Sequence, residues 1–295
     1  MVAQSVEASE PRFCGFSVEP VTPGVGAEIH GLDLSGDVSP ETIEEVRQAL
    51  GYYGVLFFRN QKIDPAHHLS FAKSFGDINV NKFFHPVDGF PEIANVQRQP
   101  DEKGATGGYW HTDHSYDQAP AMGSVFVARE LPPVGGDTLF AGMANAFDAL
   151  SDGLKTVLEG LWAWHSDVVC PEVGNANLHE DYSGRLKMLD TSGTWAKHPV
   201  VIRHPISGRK CLYVNPGFTD SIDGWTRRES KALLDFLYEH SGQPQFTYRH
   251  RWRLGDVAFW DNRATWHCAL DDCFGHRRIL HRITVEGETL EPAAS

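Results

Sequence analysis

The sequence predicts a mainly β fold with α additions, a β-sandwich or jelly roll carrying helical insertions. Short apolar or alternating segments bounded by turn residues recur along the chain, for example Ser124–Arg129 and Lys210–Val214. Helix-start signals gather toward the N-terminus and in the connections between strands. The sequence has no internal repeat and no low-complexity block. Many short strands with a few added helices are typical of layered β folds.

The first third of the chain contains two helix signals around one buried strand. Phe16–Leu34 is divided by Pro and Gly into short strand-like pieces. Ser39-Pro40 predicts a helix with Ser as N-cap and Pro at the first helical position, and Asp64-Pro65 repeats that signal. Between them, Tyr53–Phe58 is an apolar run short enough to be a buried strand.

The remaining elements follow from the same signals. The apolar spacing of Asn145–Gly160 predicts one helix, and Thr226 with Glu229 forms a capping box that begins another. We expect Asp256–Trp260 and Arg278–Val285 to pair as a final hairpin. Further strand signals lie at Asp137–Ala141, Pro199–His204 and Gln245–Tyr248.

We expect residues 1–295 to form a single domain, because β-sandwiches and barrels often reach this length undivided. Residues 1–15 have the composition of a loose tail. Two segments of mixed character, 77–108 and 165–194, are candidate lids over an active site, because long irregular connections often have that role.

Composition excludes several classes of function. The chain has 295 residues, 41% of them hydrophobic, and a net charge of −13, which argues against a nucleic-acid-binding surface. It has neither a signal peptide nor an apolar run near the ~20 residues of a membrane span. Five cysteines without CxxC spacing argue against a disulfide framework or a Cys-type zinc site. We therefore expect a cytoplasmic protein without nucleic-acid or membrane partners.

The segment Gly108–Tyr116 contains a His-X-Asp triplet, His111 and Asp113. If this segment is an extended strand, the two side chains point to the same face. One imidazole and one carboxylate are two thirds of the 2-His-1-carboxylate triad that binds non-haem Fe(II) and leaves positions open. The triplet alone is a weak signal, because the chain has 15 His and 39 acidic residues.

The C-terminal strands supply the other candidate groups. Among the histidines, His267 stands out because it closely follows the apolar strand Val257–Trp260. On the last strand, Arg278 and Arg282 share one face. Two guanidinium groups on one face are costly to bury without anions, so the pair predicts a cavity for anionic groups. Basic residues exposed on an edge strand are the alternative.

These motifs together resemble a known family. WHTD at 110–113, GGDT at 135–138, WDNR-x-x-x-H at 260–267 and RRxxHR at 277–282 are similar to the Fe(II)/2-oxoglutarate-dependent dioxygenases of the taurine dioxygenase and dichlorophenoxyacetate dioxygenase (TauD/TfdA) family. The resemblance extends from about Phe16 to Val285. It implies a double-stranded β-helix core, with Fe(II), 2-oxoglutarate and O₂ as the reactive components.

The resemblance also implies roles for individual residues. His111, Asp113 and His267 match the iron ligands. Arg278 matches the arginine that binds the distal carboxylate of 2-oxoglutarate, with Thr138 assisting it. Arg282 matches the arginine that holds an anionic substrate. The other positions matching the substrate pocket are Asn81, Phe84, Tyr109, Phe218 and Trp260.

Departures from the family pattern concern the substrate. Taurine-oxidising members have a histidine where this chain has Asn81, and His85 lies nearby. Gly107-Gly108-Tyr109 replaces a polar substrate-contacting residue. These differences argue against taurine itself, while Arg282 still favours an anionic substrate.

The resulting hypothesis is a dioxygenase that hydroxylates a C–H bond of a small organic anion and releases succinate and CO₂. A sulfonate, an aryloxyalkanoate or a similar carboxylate fits this description. A zinc hydrolase with a His₂-carboxylate site is an alternative, and so is a non-catalytic jelly roll that binds anions or sugars. A homo-oligomer, dimer or tetramer, is compatible with the sequence.

Overall fold

The structure, a computed structural model, describes residues 11–81, 83–102, 106–170 and 193–293. The helices of this part of the chain, numbered in order, are α1 Pro40–Tyr53, α2 Pro65–Lys73, α3 Met143–Asp148, α4 Asp152–Leu158 and α5 Arg227–Ser241. The strands, numbered likewise, are β1 Ser17–Pro20, β2 Ala27–His30, β3 Val55–Phe58, β4 Ile78–Asn79, β5 Pro86–Val87, β6 Phe90–Arg98, β7 Gly123–Glu130, β8 Thr138–Gly142, β9 Trp162–Ser166, β10 Trp195–Pro199, β11 Val201–Arg203, β12 Lys210–Leu212, β13 Thr219–Ile222, β14 Thr247–His250, β15 Val257–Asp261, β16 Thr265–Ala269 and β17 Arg278–Val285.

Three helices begin where their capping residues predict. The Ser39 side chain accepts the Thr42 N–H at the start of α1, and the Asp64 side chain accepts the His67 N–H at the start of α2. Thr226 forms the expected capping box at the start of α5. These caps bind N–H groups that have no partner inside the helix, which is why a local signal suffices to set the helix start.

The strands form one large sheet and three small ones. The large sheet has the order β1-β2-β3-β15-β7-β17-β6-β5, with β4 also paired to β17. The small sheets have the orders β14-β8-β16, β10-β9-β13 and β11-β12. All pairs are antiparallel except β2 with β3.

Alternating side chains of the large sheet enter two different cores. Val257 and Phe259 of β15 face α1 and α2, where they join one apolar cluster. Ala258 and Trp260 face the β14-β8-β16 sheet and pack in a second cluster with Phe140 of β8. This two-residue period is the geometry of a pleated strand buried on both faces. The cavity described below opens between these two sheets.

The outer face of the small sheets is covered by the remaining helices. Ala141 of β8 and Trp266 of β16 pack with Phe147 of α3 and Leu237 of α5 in a third cluster. The molecule is therefore layered as helices, large sheet, small sheets and helices, with the middle space between the sheets shared by core residues and the cavity. The predicted mainly β fold with α additions is confirmed.

Two predictions about connectivity are wrong. The segment predicted as one helix over Asn145–Gly160 forms two short helices, because Ser151 caps the N–H of Leu154 and begins α4 afresh. Strand β15 does not pair with β17. Strand β7 lies between them and pairs with both. Sequence proximity favoured the hairpin, but the strand that completes the sheet comes from much earlier in the chain.

The expected lid at 77–108 contains three strands of the large sheet, including the nine-residue β6. Outside these strands, Asn81, Phe83, Phe84, Thr106 and Gly107 line the cavity, and a lid role for the segment stays a prediction. Of the other segments predicted to be irregular, residues 1–10 of the tail and 171–192 of the second lid lie outside the described residues. Within the described part of the chain, no helix is long and apolar enough to cross a bilayer.

Candidate metal centre and active site

The residues predicted as metal ligands approach one another where β16 meets the segment before β7. His111 forms an isolated antiparallel bridge with His267, and their backbones exchange hydrogen bonds of 3.1 and 2.8 Å. The segment is not an extended strand through Asp113, because the chain turns immediately after this bridge. His114 has a φ of 59°, a left-handed conformation uncommon for a residue with a side chain.

The three side chains nevertheless converge. One ligand atom from each of His111, Asp113 and His267 lies within 4.8 Å of the others, and all three residues are buried. His111 Nε2 is 3.8 Å from Asp113 Oδ1, and His267 Nε2 is 3.7 Å from Asp113 Oδ2. Two nitrogens and one carboxylate in this arrangement form the donor set of a 2-His-1-carboxylate iron site.

Neighbouring groups determine which nitrogen of an imidazole can bind a metal. His111 Nδ1 lies 2.8 Å from the Tyr109 carbonyl oxygen. Because a carbonyl only accepts, this contact assigns the ring hydrogen to Nδ1 and leaves the Nε2 lone pair directed at Asp113. Burial, reinforced by the adjacent His111, lowers the pKa of His267 well below its ordinary value. A neutral imidazole is the form that binds a metal, so the lowered pKa of His267 suits a metal ligand.

Two polar contacts hold the Asp113 carboxylate. Arg282 Nη2 lies 2.8 Å from Asp113 Oδ2, and Ser124 Oγ donates to the same oxygen at 3.2 Å. Burial raises the pKa of Asp113, but the positive charge of Arg282 is the main opposing cause, and the net pKa lies well below its ordinary value. The carboxyl is therefore an anion at neutral pH, as a metal ligand must be.

Asn262 connects the metal loop to the strand before His267. Its carbonyl oxygen accepts the Thr112 hydroxyl, and its side-chain oxygen accepts the Trp260 indole N–H at 2.9 Å and the Asp113 N–H at 3.4 Å. The WDNR motif thus supports the loop that carries two of the three candidate ligands. This role could not be predicted from sequence, because it depends on contacts across about 150 residues of chain.

A second polar group lies at the other end of the cavity. Arg278 Nε donates to the Gly136 carbonyl at 2.9 Å, and among the described residues no carboxylate lies within ion-pair distance of its guanidinium. Burial lowers the pKa of Arg278 to about 10. Thr138 Oγ1 accepts the Trp252 indole N–H at 3.0 Å. A half-buried guanidinium without a carboxylate partner is expected to bind an anionic ligand.

The GGDT motif is fixed from outside the cavity. Arg249 donates to Asp137 Oδ2 at 2.7 Å and to Asp272 Oδ2 at 2.8 Å, while Asp272 Oδ1 accepts the Gly136 N–H. Gly136 has a φ of +70°, and a Cβ there would lie 3.0 Å from Cδ of Arg278. Glycine is therefore needed both for the turn and for the close approach of the arginine.

One cavity of about 140 Å³ joins these groups. All the residues predicted for metal, cosubstrate and substrate line it, namely Asn81, Phe84, Tyr109, His111, Asp113, Thr138, Phe218, Trp260, His267, Arg278 and Arg282. His85 does not line it. On β17, Arg278 and Arg282 face the cavity as the strand alternation predicts, whereas Ile283 faces the core under α1 and α2.

The wall of the cavity is strongly aromatic. Phe218 packs edge-on against His111 and Tyr116, with ring centroids 6.0 and 5.0 Å apart. Seven of the described aromatic residues line the cavity, namely Phe83, Phe84, Tyr109, Tyr116, Phe126, Phe218 and Trp260. Such a wall offers an apolar surface between the metal ligands and the polar groups.

Several lining residues were not predicted. Phe126 faces the cavity because it alternates with Val125 and Val127 on β7, so strand parity could have identified it. Tyr116 and His114 directly follow the WHTD motif, and this proximity was also a usable signal. Asp167 and Cys170 come from a segment without any readable motif. Their position depends on tertiary packing alone.

Comparisons with known proteins agree with this geometry. The sequence model of the family described as "Taurine catabolism dioxygenase TauD, TfdA family" matches residues 17–284. The chain is 34% identical over 288 residues to an alpha-ketoglutarate-dependent sulfate ester dioxygenase of Pseudomonas putida, covering 95% of this chain and 93% of the relative. It is 32% identical over 282 residues to an alpha-ketoglutarate-dependent 2,4-dichlorophenoxyacetate dioxygenase of Burkholderia sp. (strain RASC), covering 88% and 91%.

Solved structures show the same architecture. A crystal structure of a taurine dioxygenase from Burkholderia xenovorans superposes with a TM-score of 0.78 at 34% identity, covering 94% of this chain and 91% of that one. The crystal structure of AAD-2 in complex with Mn(II) and N-oxalylglycine superposes with a TM-score of 0.75 at 29% identity, covering 93% and 99%.

Proposed function

This chain belongs to the taurine catabolism dioxygenase TauD, TfdA family, and on that premise we propose that it is an Fe(II)- and 2-oxoglutarate-dependent dioxygenase of a small organic anion. The overall reaction converts a substrate C–H into C–OH. It consumes O₂ and 2-oxoglutarate and releases succinate and CO₂. The observation that carries the proposal is the convergence of His111, Asp113 and His267 in the same cavity as Arg278.

The three ligands suit Fe(II), because two neutral imidazoles and one carboxylate leave a divalent ion with one net positive charge and open positions. A bound iron ion supplies the redox chemistry by which O₂ reacts with 2-oxoglutarate. The protein residues position the reactants and exclude water. The Tyr109 carbonyl orients His111 as a metal ligand. Ser124 and Arg282 orient Asp113 in the same role.

The far end of the cavity is suited to the distal carboxylate of 2-oxoglutarate. Among the described residues, Arg278 donates only its Nε–H, to the Gly136 carbonyl, so its terminal N–H groups can bind a carboxylate with two bonds. The Thr138 hydroxyl lies in the same cavity. An anion here would neutralise a guanidinium that has no carboxylate beside it in the described part of the chain.

The substrate end combines an anion site with an apolar wall. Arg282 carries the positive charge. Asn81 uses its side-chain oxygen to accept the Phe83 and Phe84 N–H groups at 2.9 and 3.0 Å, which leaves its amide N–H groups available to an anion. The aromatic lining favours an alkyl or aryl body, such as a sulfate ester, a sulfonate or an aryloxyalkanoate, over taurine.

The zinc hydrolase and the non-catalytic jelly roll are set aside. Membership of a family of dioxygenases argues against both. The zinc hydrolase also leaves Arg278 without a function, whereas binding of 2-oxoglutarate gives it one.

The proposal is tested by succinate release from 2-oxoglutarate with Fe(II) and O₂ across a panel of sulfate esters, sulfonates and aryloxyalkanoates. We expect at least one class to stimulate release, with Asp113→Ala as the inactive control. Anaerobic addition of Fe(II) and 2-oxoglutarate should give a weak visible charge-transfer band. Absence of both the band and any stimulated release would overturn the proposal.

A further inference from the structure

In the described part of the chain, the Thr138 side chain has one hydrogen bond, and its partner is Trp252. Its indole N–H points at Thr138 Oγ1 across 3.0 Å, and both residues are buried. An indole N–H only donates, so Thr138 Oγ1 must be the acceptor in this pair. The Thr138 hydroxyl hydrogen is then left for another acceptor.

The position of Trp252 is fixed by core packing. Its ring lies edge-on to His250 with centroids 4.6 Å apart, and His250 stacks on Phe57 at 4.1 Å. His250 is also the cross-strand neighbour of Thr138 on β14 and β8. Donor and acceptor are thus held by two paired strands and one apolar cluster, which gives the hydrogen bond little freedom to rearrange.

The other polar group at this end of the cavity is arranged in the same way. The Gly136 carbonyl accepts the Nε–H of Arg278 at 2.9 Å and so fixes the orientation of the guanidinium. The terminal N–H groups of the guanidinium remain as donors. Arg278 and Thr138 line the cavity together. Each is prepared by a neighbour outside the cavity so that it presents N–H or O–H groups.

We infer that Trp252 is a positioning residue that fixes Thr138 as a hydrogen-bond donor to the distal carboxylate of 2-oxoglutarate. The inference rests on the proposed function, which makes 2-oxoglutarate the ligand at Arg278. A threonine hydroxyl that is free to rotate can donate or accept. With one lone pair occupied by the indole, its hydrogen is directed away from Trp252 and can meet a carboxylate oxygen without reorganisation.

The test measures binding of two ligands to the metal-loaded protein by calorimetry, with Mn(II) as a redox-inactive metal. 2-Oxoglutarate reaches both the metal and Thr138. Oxalate can chelate the metal but has no distal carboxylate. Trp252→Phe keeps the aromatic ring and removes the indole N–H, so we expect 2-oxoglutarate to bind about fivefold more weakly. Oxalate binding should stay unchanged.

Variants of Thr138 show how much 2-oxoglutarate affinity depends on the Thr138 hydroxyl. Thr138→Val should weaken 2-oxoglutarate binding about 10- to 100-fold, because a hydrogen bond to a charged group is lost. Thr138→Ser should restore most of the affinity. In the Thr138→Val background, Trp252→Phe should cause no further loss, because the two residues act through one hydroxyl. Trp164→Phe, which removes an indole bond to Asp223 on a different sheet, is the matched control and should leave both affinities unchanged.

The outcomes separate the inference from the proposed function. Wild-type protein that binds Mn(II) but no 2-oxoglutarate would refute the proposed function itself. If wild type binds 2-oxoglutarate and Trp252→Phe binds it equally well, only the role of Trp252 is overturned. An equal loss of 2-oxoglutarate and oxalate affinity, or additive effects in the double variant, would assign Trp252 to general packing and would also overturn it.

Discussion

Arg278→Met should change stability and cosubstrate binding in opposite directions. Burial lowers the pKa of Arg278 to about 10, against an ordinary value of about 12.5. At about 1.36 kcal/mol for each pKa unit, the buried charge costs the metal-free protein on the order of 3 kcal/mol. The residue is partly exposed, so we take about 2 kcal/mol as the amount that its removal recovers.

The sign follows from the direction of the pKa shift. A lowered pKa for a base means that folding disfavours the charged form, so the cost is fully present at every pH below about 10 and fades above it. Methionine fills the space of the side chain but leaves the Gly136 carbonyl without its donor, which costs about 1 kcal/mol. The net expectation is a metal-free protein that is about 1 kcal/mol more stable.

The same substitution should weaken 2-oxoglutarate binding. Loss of a buried carboxylate–guanidinium pair costs about 2–5 kcal/mol, or about 30- to 4,000-fold in affinity for 2-oxoglutarate. Stability is measured by urea denaturation after metal chelation, and binding by calorimetry with Mn(II). The control is Arg277→Met, because Arg277 is exposed and paired with Glu130 at 3.1 Å. Its effect on both quantities should be within about 0.5 kcal/mol.

The reasoning fails if Arg278→Met is clearly less stable than wild type, because the guanidinium would then be a structural group with partners that satisfy it. It fails equally if the variant binds 2-oxoglutarate as tightly as wild type. A gain in stability with a loss of binding is the pattern of a site residue kept for its ligand rather than for the fold.

Three further predictions follow from the same geometry. Asp113→Ala should weaken Mn(II) binding by at least about 100-fold in calorimetry, and retained affinity would refute its assignment as a ligand. Arg282→Ala should weaken binding of an anionic substrate by about 2–5 kcal/mol, and unchanged substrate dependence would place the anion elsewhere. Asp261→Asn should cost about 3–5 kcal/mol of stability in urea, because Asp261 is buried against Arg263 Nη2 at 2.7 Å and His204 Nε2 at 3.0 Å. Arg263 and His204 outweigh burial and lower the pKa of Asp261, so wild type should lose this contribution on acidification below about pH 4, and the variant should lack that loss.

Local chemistry was readable from the sequence wherever the signal and its effect lie within a few residues. Ser39, Asp64 and Thr226 begin helices because each binds an N–H group in the next turn. Strand alternation placed Arg278 and Arg282 on one face because the period of two is a property of the strand itself. The prediction of one long helix over Asn145–Gly160 is wrong for the same local reason, because Ser151 is an N-cap signal that begins a separate helix.

By itself, the sequence determined the types of side chain available for chemistry, the local starts of helices and the faces of individual strands. Tertiary structure decided that β7 separates β15 from β17, that the chain turns after His111, and that Trp252 and Asn262 support residues far away in sequence. The physical reason is range. A cap or a strand face is set by neighbouring residues, whereas strand partners and converging side chains depend on which distant segments pack together with the best fit among many alternatives that a linear pattern does not distinguish.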